Sequence, residues 1–166
     1  MRGLTSLLLG ITLWTPSLEA SPEEGPSPTN HTEFSAGYQL MGPAQTWHGW
    51  NASLSRGFGS KGFGWVVDGG SVYPEGSPLT LLTTGPRFSY RADKDATLYA
   101  QVLAGVWIES GPDVLPIAYP GVGVDFRPDE TLGFRLQLDW PLVTPFGVIT
   151  AVPRVSAGIV IRPGTR

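Results

Sequence analysis

From Val122 to Trp140 the chain reads VGVDFRPDETLGFRLQLDW, and on both sides of its central Arg-Pro-Asp-Glu-Thr every second residue is apolar. Val122, Val124 and Phe126, then Phe134, Leu136, Leu138 and Trp140, alternate with Gly123, Asp125 and Arg127, then Arg135, Gln137 and Asp139. A strict period of two requires extended chain with two unlike faces. The stretch therefore predicts a hairpin with one oily side and one charged side. Which of the two meets water decides what kind of protein this is.

The same alternation recurs along the chain. Earlier segments are Phe34-Ala36-Tyr38-Leu40, His48-Trp50-Ala52-Leu54, Phe63-Trp65-Val67 and Leu82-Thr84-Pro86-Phe88-Tyr90. Leu98-Ala100-Val102-Ala104-Val106 is the fifth, the run from Ala118 to Phe126 the sixth, Phe134–Trp140 the seventh and Val155-Ala157-Ile159-Ile161 the eighth. No segment after residue 32 sustains a helical period. Eight strands separated by Gly, Pro and Asp clusters predict an all-β sandwich or an antiparallel barrel. The connections alternate in length: short polar turns near 57–62, 91–95 and 128–131, longer links at 70–78, 108–116 and 141–151, and a brief first link at 42–47. That asymmetry is expected of a barrel that crosses a membrane.

The kind of polar residue separates a soluble barrel from a membrane barrel. A soluble barrel such as a lipocalin keeps its apolar residues inside and long, hydrated Lys and Glu side chains outside. Here both lysines, Lys61 and Lys94, fall in predicted turns, and none of the seven Glu falls inside a predicted strand. The polar face consists of Gly, Ser, Thr, Gln, Arg and Asp. Small residues let a narrow interior close, and Arg can pair with Asp in a fixed geometry. Buried charge is tolerated when it is paired. Asp68, Arg87, Gln101, Asp125, Arg127, Arg135, Gln137, Asp139 and Arg154 are accordingly expected to form a structural network inside a filled lumen.

The aromatic residues point the same way. With odd strands running one way and even strands the other, Trp47, Trp50, Tyr73, Trp107, Tyr119 and Trp140 gather at one end. Phe34, Phe58, Phe63, Phe88, Tyr90, Phe126 and Phe134 gather at the other. Two bands match the interfacial girdles of membrane barrels. Trp50, Trp107 and Trp140, with Phe63, Tyr90, Phe126 and Phe134, are the expected girdle residues.

Ahead of the strands, Arg2 precedes an apolar run from Leu4 to Trp14, followed by Leu18-Glu19-Ala20. This layout predicts a signal peptide over 1–20, cleaved after Ala20; a core helix is the alternative. The run is shorter than the ~20 apolar residues that a spanning helix needs. Residues 21–32, rich in Ser, Pro and Glu, read as a disordered leader, and 33–166 as the barrel domain.

In TTGPRFSY (83–90), PGVGVDFRPDETLGFRLQLDW (120–140) and RVSAGIVIR (154–162), the chain resembles the small eight-stranded outer-membrane β-barrel proteins of the OmpX and OmpA transmembrane-domain type. The resemblance implies an eight-stranded antiparallel up-and-down transmembrane β-barrel over residues 33–162, in the bacterial outer membrane. It also implies outer-membrane lipids and the barrel-assembly machinery as partners of a monomer. The chain departs from that pattern in ending its last strand with Ile161-Arg162-Pro163, without an aromatic residue. Pro86 and Pro120 fall in predicted strands, where each should mark a bulge or a strand end.

The sequence excludes several functions. Without cysteine there is no disulfide and no thiolate metal site. A formal net charge of -3 gives no basic surface for nucleic acid. No catalytic residue, metal or cofactor is expected: His48 lies near Asn51 and Ser53 but has no carboxylate nearby to orient it. Eight strands enclose a lumen that side chains fill, which argues against a pore. The expected role is structural or in surface interaction; the alternative is a secreted, lipocalin-like barrel holding a small apolar ligand.

Overall fold

The computed structural model describes residues 31–42, 45–58, 62–75, 77–93, 95–109, 114–129, 131–143 and 150–163. The signal peptide expected over 1–20 and residues 21–30 of the expected leader lie outside them. Ten strands follow in order: β1 Thr32–Met41, β2 Trp47–Phe58, β3 Phe63–Tyr73, β4 Leu79–Arg91, β5 Ala96–Ile108, β6 Val114–Phe126, β7 Leu132–Asp139, β8 Leu142–Val143, β9 Thr150–Ala151 and β10 Arg154–Ile161. Thr32, placed by sequence in the leader, opens β1 and pairs with Arg56.

These ten strands make eight staves. β6 pairs with β7 as far as Gly121↔Asp139 and resumes with β8 at Ala118↔Leu142 in the same register. β10 pairs with β7 from Arg154↔Asp139, and β9 continues that register at Leu142↔Ala151. Pro141 and Pro153 interrupt the two staves without shifting them. Trp140 N donates to Pro120 O at 2.9 Å and Val152 N to Pro141 O at 2.9 Å, carrying the ladder across the breaks.

All neighbours are antiparallel. β1 pairs with β10 and β5 with β6, so the sheet closes into a barrel with no free edge. Following paired residues once round from Ile161, through Phe34, Leu54, Val67, Thr84, Ala104, Ala118 and Leu142, leads back to Ala151. That is ten residues along the same stave, a shear of ten. An eight-stranded barrel with such a stagger tilts its strands by about 40°. One end of the barrel holds the short turns, the start of β1 and the end of β10 (the turn end); the other holds the longer links (the loop end).

Neither Pro86 nor Pro120 makes the expected bulge. The β4–β5 ladder has the same register on both sides of its gap, at Thr84↔Ala104 and Arg87↔Gln101, while Trp65↔Pro86 keeps β3–β4 continuous. In an antiparallel ladder a residue directs its N–H and C=O to one neighbour only. A proline therefore removes one rung on one side and leaves the strand straight.

Alternation sorts the side chains cleanly. Phe34, Leu54, Leu82, Val102, Val122, Leu136 and Ile159 are exposed on the outside. Glu33, Ser53, Asp68, Arg87, Gln101, Asp125, Arg135, Asp139 and Arg154 are buried inside. The interior is itself divided. At the loop end Met41, Val72, Leu79, Leu81, Trp107, Ile117, Val143 and Val152 form one apolar cluster, with Trp47 and Leu115 packed against it. Below this plug the lumen is mainly polar, with Val66, Leu103 and Val160 as buried apolar residues among the charges.

Candidate functional site

The polar lumen is built in two layers. Around mid-barrel the guanidinium of Arg154, fully buried, donates from Nε to Asp139 Oδ2 at 2.9 Å and from Nη1 to Asp68 Oδ1 at 3.1 Å and Gln39 Oε1 at 3.0 Å. It also lies over the Tyr119 ring, 4.5 Å from the centroid. Asp139 accepts further from Gln137 Nε2 at 2.8 Å and from Gln101 Nε2 at 3.3 Å. One ion-pair cluster thus ties β1, β3, β5, β7 and β10 across the lumen.

Nearer the turn end, Arg135 grips Asp125 with two parallel hydrogen bonds, Nε to Oδ1 at 2.7 Å and Nη2 to Oδ2 at 2.8 Å. Its Nη1 reaches Ser35 and Ser53, and its Nη2 reaches Glu33 Oε2 at 3.2 Å. Arg87 donates from Nε and Nη2 to Gln101 Oε1 at 3.1 and 2.8 Å and stacks on Tyr99, 4.1 Å from the ring centroid. Tyr99 in turn donates its hydroxyl to Gln137 Oε1 at 2.6 Å. A Cβ added at Gly123 would lie 2.3 Å from that hydroxyl, so the absence of a side chain at 123 makes room for the tyrosine.

Glu33 closes the turn end. Its carboxylate meets Arg162 Nε at 2.6 Å, His31 Nε2 at 3.0 Å, Arg135 Nη2 at 3.2 Å and, more loosely, Arg127 Nη2 at 3.7 Å. This gathers the first stave, the last stave and the β6–β7 turn on one carboxylate. Beyond the strand end, burial pushes the Arg127 guanidinium down to about 10; Arg162 adds to that shift while Glu33 and Asp125 oppose it. It remains charged at neutral pH.

All nine expected lumen residues sit in or at the mouth of this interior, but their partners were not readable. Arg135 takes Asp125, Arg154 takes Asp139 and Asp68, and Arg87 pairs with a glutamine and a tyrosine ring. Glu33 corrects the expectation that no Glu lies in a strand. β1 begins two residues before Phe34, and the same alternation puts Glu33 inside. Gln39 and Tyr99 also occupy interleaved positions. Arg162 and His31 lie just beyond the strands but keep the inward parity of Arg154 and Ser156 and of Glu33 and Ser35.

The girdle needs one correction. Trp50, Trp140, Phe63, Tyr90, Phe126 and Phe134 are exposed on the outside, but Trp107 is 4% exposed and belongs to the apolar plug, with its indole N–H on Glu109 at 3.2 Å. Trp107 has the parity of Tyr99 and Gln101, so it points inward, and at the loop end the inner face is apolar instead of polar. Tyr119 is likewise buried, beneath Arg154. Above the turn-end ring, Tyr38, Trp50 and Trp140 stand outside around mid-barrel and Tyr73 nearer the loop end. His48, hydrogen-bonded to the Tyr38 hydroxyl, is exposed on the outer face, whereas Asn51 and Ser53 face the lumen.

The architecture is an eight-stranded antiparallel transmembrane β-barrel, apolar outside and charged within. No family model matches the chain, and no curated protein matches its sequence. Solved structures with the same fold include a de novo designed transmembrane β-barrel, at TM-score 0.62 and 16% identity over 84% of this chain and 100% of the other. Neisserial surface protein A aligns at TM-score 0.59 and 9% identity, over 80% and 96% of the two chains. Ail, the attachment invasion locus protein of Yersinia pestis, solved in complex with the heparin analogue sucrose octasulfate, aligns at TM-score 0.58 and 16% identity, over 81% and 99%. At such identities the likeness is one of fold.

Proposed function

We propose that this protein is an outer-membrane barrel of bacteria with a structural or surface-interaction role, its turn end facing the periplasm and its loop end outward. One observation carries the proposal: on a closed barrel, the face turned to the surroundings is apolar and the buried face is charged. In water this arrangement would expose an apolar belt far larger than soluble monomers display. In a bilayer it satisfies every backbone group and keeps the charges out of lipid. A lipocalin-like ligand site would need the reverse, an apolar interior with room in it.

The lumen supports a closed barrel better than a channel. Salt bridges cross it at two levels and a hydrophobic plug caps it, so an ion path would have to break both. Enzyme chemistry has little support, because fold alone does not imply function and His48 stands on the opposite face of the sheet from Ser53 and Asn51. Surface contacts would be made by the loop-end links, and these hold no Lys or Arg at 42–46, 74–78, 109–113 or 140–153. A polyanion such as the heparin analogue bound by Ail is therefore a poor fit for this chain.

Cell fractionation of the expressed full chain tests the proposal. Recovery with outer membranes, dependence on detergent and faster gel migration before boiling than after it are the expected results. Recovery in the soluble periplasm without detergent would refute it.

A further inference from the structure

Among the described residues, Arg56 is the only charged side chain at an outward-facing position of the eight staves. It follows Leu54 and precedes Phe58 on the outer face of β2, is exposed, and has no acidic partner among the described residues. Its neighbours across the ladder are Thr32 and Trp65. Trp65 is held in place by its own indole N–H, which donates to Thr84 Oγ1 at 2.7 Å, and that hydroxyl donates to Val66 O at 2.9 Å. Arg56 thus stands beside a fixed aromatic ring with its guanidinium free.

The height of Arg56 follows from the register. With ~3.3 Å per residue and a tilt of ~40°, each step along a stave rises about 2.5 Å, and each step to the next stave along the circuit from Ile161 rises about 3 Å. Arg56 then lies within about 3 Å of the level of Phe34, Trp65, Phe88 and Phe134, the turn-end aromatic ring. Tyr38 lies about 12 Å higher, and Trp50 and Trp140 about 15 Å higher. An arginine at mid-bilayer on a barrel's lipid face costs about 2–4 kcal/mol, falling to nearly nothing at the interface. Arg56 is placed where that cost vanishes and where lipid phosphates sit.

We infer that Arg56 is a binding site for the phosphodiester of an anionic phospholipid at the turn-end surface of the bilayer. This rests on the membrane reading above. A guanidinium offers paired donors to phosphate oxygens. In phosphatidylcholine the headgroup's own cation already neutralises the phosphate, so the unneutralised phosphatidylglycerol headgroup gains more from Arg56.

Trp65 supplies the readout. The full chain is folded into vesicles of mixed phosphatidylglycerol and phosphatidylcholine, with bromine on the acyl chains of one lipid or the other. Trp65 emission is isolated by subtracting that of Trp65→Phe. Relative association of the anionic lipid is expected to exceed that of phosphatidylcholine about fivefold, the effect of one near-surface cation. Arg56→Gln should remove the preference, and Arg56→Lys should keep part of it. Equal quenching by both lipids in the wild type, or a preference undiminished in Arg56→Gln, would overturn the site while leaving the membrane reading intact. Failure of the wild type to enter vesicles would overturn both.

Discussion

Asp139 and Arg154 show what single residues contribute to this barrel. Both are fully buried, and Arg154 also holds Asp68, so removing the arginine leaves two uncompensated carboxylates in a closed lumen. Such a loss costs about 3–5 kcal/mol, whereas replacing a whole buried ion cluster by apolar residues of similar size can be nearly neutral. Arg154→Ala should lower the urea midpoint of the vesicle-inserted protein by the equivalent of that amount, and Arg154→Met with Asp139→Leu and Asp68→Leu together by much less. A triple replacement as damaging as Arg154→Ala would refute the pairing. Gly123→Val is a second test at this scale. A side chain there must displace Tyr99, which also supports Arg87 and Gln137. The expected loss is about 1–3 kcal/mol, in the range of other overpacking substitutions, measured by the same titration.

At the scale of elements, the proline-bearing staves keep their register, because each proline forfeits a rung toward one neighbour only. Pro86→Val restores a donor directed at β5, adding about 0.5–1.5 kcal/mol. It also loosens the unfolded chain, subtracting about 0.4–1 kcal/mol. The two nearly cancel, so the unfolding midpoint should move by no more than the equivalent of about 1 kcal/mol. A larger loss would show that the strand depends on proline for a bend. The seam between β1 and β10 has its own fastening in Glu33. Glu33→Gln leaves Arg162, Arg135 and Arg127 facing a neutral amide. Amide exchange at 31–35 and 158–162 should rise selectively, while exchange in β4–β6 stays protected; a uniform rise would contradict a local clasp.

For the whole molecule, the two closures of the lumen differ in chemistry, and they should fail independently. Trp107→Ala opens a void in the apolar plug and should cost about 3–5 kcal/mol. The Arg154–Asp139–Asp68 cluster below remains in place, so planar bilayers holding this variant should stay non-conducting, like those with the wild type. Steady conductance from Trp107→Ala alone would mean that the plug is the only barrier. Every one of these measurements requires the barrel first to insert, which ties them to the fractionation result.

The eight segments, their two faces and the lumen membership of Asp68, Arg87, Asp125, Arg135, Asp139 and Arg154 were legible in the sequence, because a period of two is a local property of the chain. The unusual polar face was legible too: Arg, Asp, Gln and small residues, with few Lys or Glu, suit a packed interior. Pairings were not legible. Arg154 meets Asp68 and Gln39 over 86 and 115 residues of separation, and only the ten-residue stagger of the closed sheet brings them to one height. The same closure decided that Trp107 completes a plug instead of a girdle and that Glu33 gathers the first and last staves. Local alternation assigns a side chain to a face; the shear of the barrel decides which side chains meet there.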